Sequence, residues 1–142
     1  MEFNRLFCEL DLDRKMFRFC EVASEETLMG SGQDSTKGLF SSAAYFASLD
    51  ADIHMAFSDR YHALHGDGAP VINAHGQSLY EGIHFYAALV RHHQNDLTGP
   101  IMYSTARGGV FHSNRHKEDP VYLAEADGLR FQVLEELEWA ES

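Results

Sequence analysis

Nine histidines in a chain of 142 residues supply the side chain whose charge changes most readily near neutral pH, and their neighbours decide what that property could serve. His84 and Tyr86 stand two apart. On a β-strand they share one face, opposite Ile83 and Phe85, so that face carries polar tips suited to orienting a small molecule. They form the candidate catalytic pair. The competing reading makes both ordinary sheet residues with satisfied hydrogen bonds. Asp59, Tyr61, His75 and Tyr103 are the candidate substrate-binding groups for the same cavity. In a dry site a carboxylate or imidazole serves as general base because desolvation moves its pKa, yet spacing alone places no pair of these groups together. His62 and His65 would share a helix face compatible with metal ligation. No third ligand accompanies them in a recognisable metalloprotease motif, so no metal is expected. His112 and His116 read as members of a polar loop. No cofactor is expected either: the segment from Gly30 to Lys37 lacks the Gly-Lys-Ser/Thr ending of a phosphate-binding loop, and no Gly-x-Ser-x-Gly elbow occurs.

The elements that must position these groups are unevenly legible. Residues 3–22 read either as helical, with Phe3, Leu6, Phe7, Leu10, Phe17 and Cys20 near one face, or as a hairpin turning at Asp13 to Lys15. Residues 30–38 are rich in glycine and small polar residues and predict an irregular segment. A helix is expected next, its apolar face made by Leu39, Phe40, Ala43, Ala44, Phe46 and Ala47, with Ser35 or Thr36 as cap. Residues 50–65 fit both a helix, through Ile53, Phe57, Tyr61 and Leu64, and a strand, through Ile53, Met55 and Phe57. The same tie holds at 79–92, where Leu79, Ile83, Tyr86 and Val90 make a helical stripe that Gly82 weakens. Between them Gly66-Asp67-Gly68 is a turn signal, and residues 69–74 read as a short strand entered through Pro70. Residues 101–105 and 110–112 flank Arg107-Gly108-Gly109, and residues 121–125 and 129–134 flank Asp127-Gly128. Two hairpins are predicted, neighbours in one antiparallel sheet. Trp139 is expected to clamp the last strand.

Composition bounds the rest. The length fits one domain spanning residues 1–142, with 44% hydrophobic residues to fill a core. Eleven Lys and Arg against 22 Asp and Glu leave a net charge of −11, and the basic residues are scattered, so neither nucleic acid nor a membrane surface is an expected partner. Cys8 and Cys20 are too few for a disulfide framework and wrongly spaced for a redox pair. A cytoplasmic location is therefore expected. The class is α+β.

Glu26-Thr27-Leu28-Met29-Gly30-Ser31-Gly32, Gly38, a short apolar helix and then Gly66-Asp67-Gly68-Ala69-Pro70-Val71 resemble the SnoaL-like branch of the nuclear-transport-factor-2-like (cystatin-like) superfamily over roughly residues 10–90. The resemblance implies a curved, mainly antiparallel sheet with N-terminal helices packed on its concave face, an apolar pocket inside, and strands at 52–65 and 79–92. The leading functional expectation is a domain that binds an apolar small molecule, with cyclase, isomerase, dehydratase and hydrolase as the activities such a pocket could host. The alternative is a non-enzymatic acidic interaction protein of the immunity or inhibitor type, which the charge would steer toward a basic partner. A homodimer is expected under either.

Overall fold

Alternating burial in β2 (Leu39–Ala43) sends Leu39 and Ser41 inward, and this strand organises the first half of the fold. The computed structural model describes residues 2–93, 101–107, 110–112 and 120–137. Trp139, His116 and the turn at 108–109 lie outside the described residues. Contacts divide the chain into two compact units, Met1–Leu49 with Val121–Ser142, and Asp50–Pro120. The α+β class expected from the sequence is the class found.

In the first unit, α1 (Glu2–Glu9), a 3-10 turn, the two-residue β1 (Arg18–Phe19), α2 (Glu25–Ser31) and a second 3-10 turn lead into β2. The helical reading of the first residues thus holds for α1, and the hairpin reading does not. Arg5 closes the C-terminal end of α2, donating from Nε to Ser31 O at 3.0 Å and from Nη2 to Gly30 O at 2.7 Å, where exposed carbonyls favour a cation. The sheet runs β1-β2-β5-β6, with β5 (Val121–Asp127) and β6 (Arg130–Leu137); β1 and β2 are parallel and the other pairs antiparallel. Ala23, Leu28, Leu39, Phe46, Ala124, Ala126 and Phe131 form its core. Within it the Phe46 and Phe131 rings are 5.1 Å apart. The β5–β6 turn is the predicted one: Gly128 has φ 64, a left-handed conformation that glycine adopts without Cβ strain. Thr36 Oγ1 donates to Gly128 O at 2.9 Å and ties that turn down.

The helix expected from residue 39 is corrected here. Leu39–Ala43 is a strand, because both of its edges are occupied by hydrogen-bonding partners, and Ser41, although fully buried, donates its hydroxyl to Ala23 O at 3.0 Å. Tertiary pairing overrides the local helical spacing.

The second unit contains α3 (Asp52–His65), α4 (Ala74–His93) and the hairpin of β3 (Met102–Ser104) with β4 (Val110–His112), paired antiparallel with Tyr103 opposite Phe111. Phe57 of α3 meets Tyr80 of α4 with ring centroids 5.0 Å apart. Both stretches that the resemblance made strands are helices. Residues 69–74 form no strand either: Asn73 Oδ1 accepts the Gly76 N–H at 2.8 Å, an asparagine cap that starts α4. The two hairpins form separately, β3 with β4 and β5 within the larger sheet, instead of sharing one. No helix among the described residues is long and apolar enough to cross a membrane.

Candidate functional site

Residues three and four apart on a helix stack along one face, and Ser78, Glu81, Gly82 and Phe85 of α4 do so. With Tyr103 of β3, Thr105 and Arg107 they line a hollow of about 230 Å³. Phe85 and Tyr103 supply its aromatic wall, their rings edge to face at 6.0 Å.

A buried ion pair forms the polar part of the lining. Arg107 donates to Glu81 Oε2 from Nη2 at 2.6 Å and from Nε at 3.0 Å, and its backbone N–H reaches Oε1 at 3.1 Å. Nη2 also reaches Ser78 Oγ at 3.3 Å. Both side chains are 5% exposed. The backbone contact matters as much as the charges, because it fixes the turn after β3 against α4 while it satisfies the second carboxylate oxygen. Gln77, one turn before Glu81 on the flank of the same stripe, is fully buried with neither amide atom hydrogen-bonded among the described residues.

His54 of α3 is buried as well. Burial holds its imidazole below the ordinary 6.5, the Arg107 guanidinium adds to the effect and Glu81 opposes it. A histidine kept neutral in the folded chain but free to charge when unfolded leaves stability intact above pH 6.5, and stability is lost as the pH falls through the lowered native value. Urea denaturation across about pH 7.5 to about pH 5 should therefore show an acid-side loss of stability that is flatter in His54→Gln. Equal slopes in the two proteins would remove His54 from this account. Burial also raises the Tyr103 hydroxyl above its ordinary value, with Tyr80 and Glu81 adding, so the phenol at the hollow stays protonated near neutral pH.

Gly82 offers a direct handle on the wall. A Cβ built there meets nothing within 4 Å, and glycine inside a helix is less favourable than alanine by about 1 kcal/mol. Gly82→Ala is expected to stabilise the protein by about 1 kcal/mol, which thermal denaturation would register as a higher Tm.

Of the residues singled out in the sequence, Tyr103 lines the hollow. His84 and Tyr86 lie on a helix, where positions two apart do not face one another; Tyr86 is 56% exposed, and the exposed His84 rests its ring on Tyr80 at 4.3 Å. Their expected common strand face is thus corrected. Asp59 on α3 and His75 in the first turn of α4 are exposed. Tyr61 donates its hydroxyl to Pro70 O at 3.0 Å, bracing the segment between the helices, and its ring packs on His65 at 4.9 Å. Among the described residues, no group of three His, Cys, Asp or Glu is placed to hold a metal ion. Sequence reasoning missed Glu81 and Arg107. The stripe Ser78, Glu81, Gly82, Phe85 carried a signal, but Arg107, 26 positions from Glu81, had none.

The model of a family described as periplasmic binding protein matches residues 1–127. No curated protein matches the chain. The match overturns the SnoaL-like resemblance, which rested on short glycine-bearing steps that many loops share; the helices at 52–65 and 79–92 separately replace the strands it implied. It also overturns the cytoplasmic expectation, since the family is named for the periplasm; two cysteines and an acidic surface do not distinguish the compartments.

Proposed function

We propose that this chain, which belongs to the periplasmic binding protein family, binds a small molecule, and that the hollow between α4 and the segment 103–107 is where the ligand sits. The observation that carries this reading is a concave site whose aromatic wall, Phe85 and Tyr103, stands beside the buried Glu81–Arg107 ion pair. Pockets for small ligands have this composition, mostly apolar with a few fixed polar groups. The volume is below the roughly 300–1,000 Å³ of a drug-sized site, which favours a ligand about the size of one ring. An apolar body fits the wall, and Ser78 and Tyr103 offer hydroxyls to orient it.

A thermal-shift screen of single-ring and branched aliphatic solutes against the wild type and Gly82→Phe tests the proposal. Binding raises Tm by stabilising the folded form alone. Solutes that shift the wild type should lose their effect on Gly82→Phe, whose ring would occupy the hollow; shifts of equal size in both proteins would place the ligand elsewhere. The apolar side chains exposed along α1 and just after it, Phe3, Leu6 and Leu10, favour self-association as a second element of this reading. Sedimentation equilibrium showing a monomer throughout would remove it.

A further inference from the structure

We infer that the ligand of this hollow is an uncharged, ring-bearing small molecule, and that the Glu81–Arg107 pair selects against both anions and cations. The inference rests on the hollow being the binding site and adds the chemical class of what enters it. Among the described residues, Glu81 and Arg107 are the charged members of the lining, and each pairs with the other. Oε2 accepts two guanidinium N–H groups, at 2.6 and 3.0 Å, and Oε1 accepts the Arg107 backbone N–H at 3.1 Å. With both side chains 5% exposed, their charges cancel where the ligand lies.

A carboxylate or phosphate entering the hollow would have to draw Arg107 away from Glu81, leaving that carboxylate buried without its partner. An ammonium would do the converse to Arg107. Removing one partner from a desolvated charge pair is the costliest change such a pair can suffer, larger than the usual return from one new contact. An ion that entered without disturbing the pair would itself be desolvated, and the described lining offers it no second charge of opposite sign. A neutral ring escapes both costs. It stacks on Phe85 and Tyr103, whose edge-to-face geometry at 6.0 Å presents ring faces and edges to a third aromatic group. One hydroxyl-type group on that ring can exchange hydrogen bonds with Ser78 or the Tyr103 phenol, neither of which carries charge near neutral pH.

Three probes of nearly equal size separate the cases: benzyl alcohol, benzoate and benzylammonium, titrated calorimetrically into the full chain at pH 7 and into Gly82→Phe. The expected result is measurable binding of benzyl alcohol, at least about tenfold weaker binding of either ion, a difference of about 1.4 kcal/mol, and loss of the benzyl alcohol signal in Gly82→Phe. Benzoate or benzylammonium binding as tightly as the alcohol, with that binding lost in Gly82→Phe, would overturn the inference and leave the hollow as the site. Binding unchanged by Gly82→Phe would overturn the site and the inference together. No heat with benzyl alcohol, where the thermal-shift screen finds other solutes that depend on Gly82, would also overturn the ring-bearing class. Arg107→Met supplies a second reading: with Glu81 left uncompensated, benzylammonium should gain on benzyl alcohol, and an unchanged order would contradict selection by the pair.

Discussion

Arg107→Ala should cost about 3–5 kcal/mol of stability in urea denaturation, among the largest losses a single substitution can produce. The substitution removes the two guanidinium donors from Oε2 and leaves Glu81, 5% exposed, as a buried carboxylate without the charge that balances it. The backbone N–H at residue 107 stays on Oε1. The same lining predicts that Glu81→Leu combined with Arg107→Met costs less than either single change, since the double variant buries no unpaired charge and apolar groups of similar volume often replace such a pair without loss. A double variant as unstable as the sum of the singles would show that the two residues act independently. The comparison also separates packing from charge, because the alkyl stem of Arg107 is retained in methionine and lost in alanine.

Arg18→Ala is expected to destabilise the first unit by at least about 3 kcal/mol. Arg18 is 6% exposed, and its partners among the described residues are neutral. Nη1 donates to Asn4 Oδ1 at 3.0 Å and to Ser35 O at 3.1 Å, Nη2 donates to Lys37 O at 2.5 Å, and the guanidinium lies 4.5 Å from the Phe7 ring centroid. One planar cation thus gathers α1, the second 3-10 turn and the entry to β2 around β1. Hydrogen bonds to a charged donor are each worth about 1.5–3 kcal/mol, and the cation on the ring adds to them. Arg18→Lys tests whether charge or geometry matters: a single ammonium cannot reach the same fan of carbonyls, so lysine should recover less than half of the loss. Full recovery by lysine would mean that the charge over Phe7 does most of the work. Neutral partners also mean that the loss should be nearly the same at low and high salt, unlike that of a surface ion pair.

Some of this fold was legible in the residues and some was hidden for a physical reason. Asp127-Gly128 announced the β5–β6 hairpin because a left-handed turn position admits glycine at no steric cost, and the pairing of residues 101–105 with 110–112 could be read from the polar turn between them. The period of α3 and α4 was obscured because polar residues share their buried positions with Phe57 and Leu89. His54, Gln77 and Glu81 face inward, whereas Leu64, Leu79, Ile83 and Tyr86 are exposed, so the apolar stripe that suggested a helix in α4 lies on the side away from its buried face. A count of hydrophobic residues therefore could not decide between helix and strand. Residue 39 onward misled in the opposite sense. Ser41 reads as a solvent-facing position until its hydroxyl is seen to be satisfied by Ala23 O.

The site was less legible than the fold. Tyr103 was singled out and does line the hollow, but the histidine and tyrosine expected beside it sit on exposed parts of α4. Glu81 lies on a helical stripe that the spacing could have shown, but Arg107 gives no local signal, since its pairing with Glu81 is made across 26 positions. Nine histidines drew notice through their number. The consequential one, His54, matters through its burial next to that pair and not through any motif.

Amide chemical-shift mapping tests the central claim most directly, with the protein titrated by whichever solute most raises its Tm. The account predicts saturable shifts concentrated at Ser78, Glu81, Gly82, Phe85, Tyr103, Thr105 and Arg107. Shifts confined to residues of the first unit, with these positions unmoved at saturation, would contradict it.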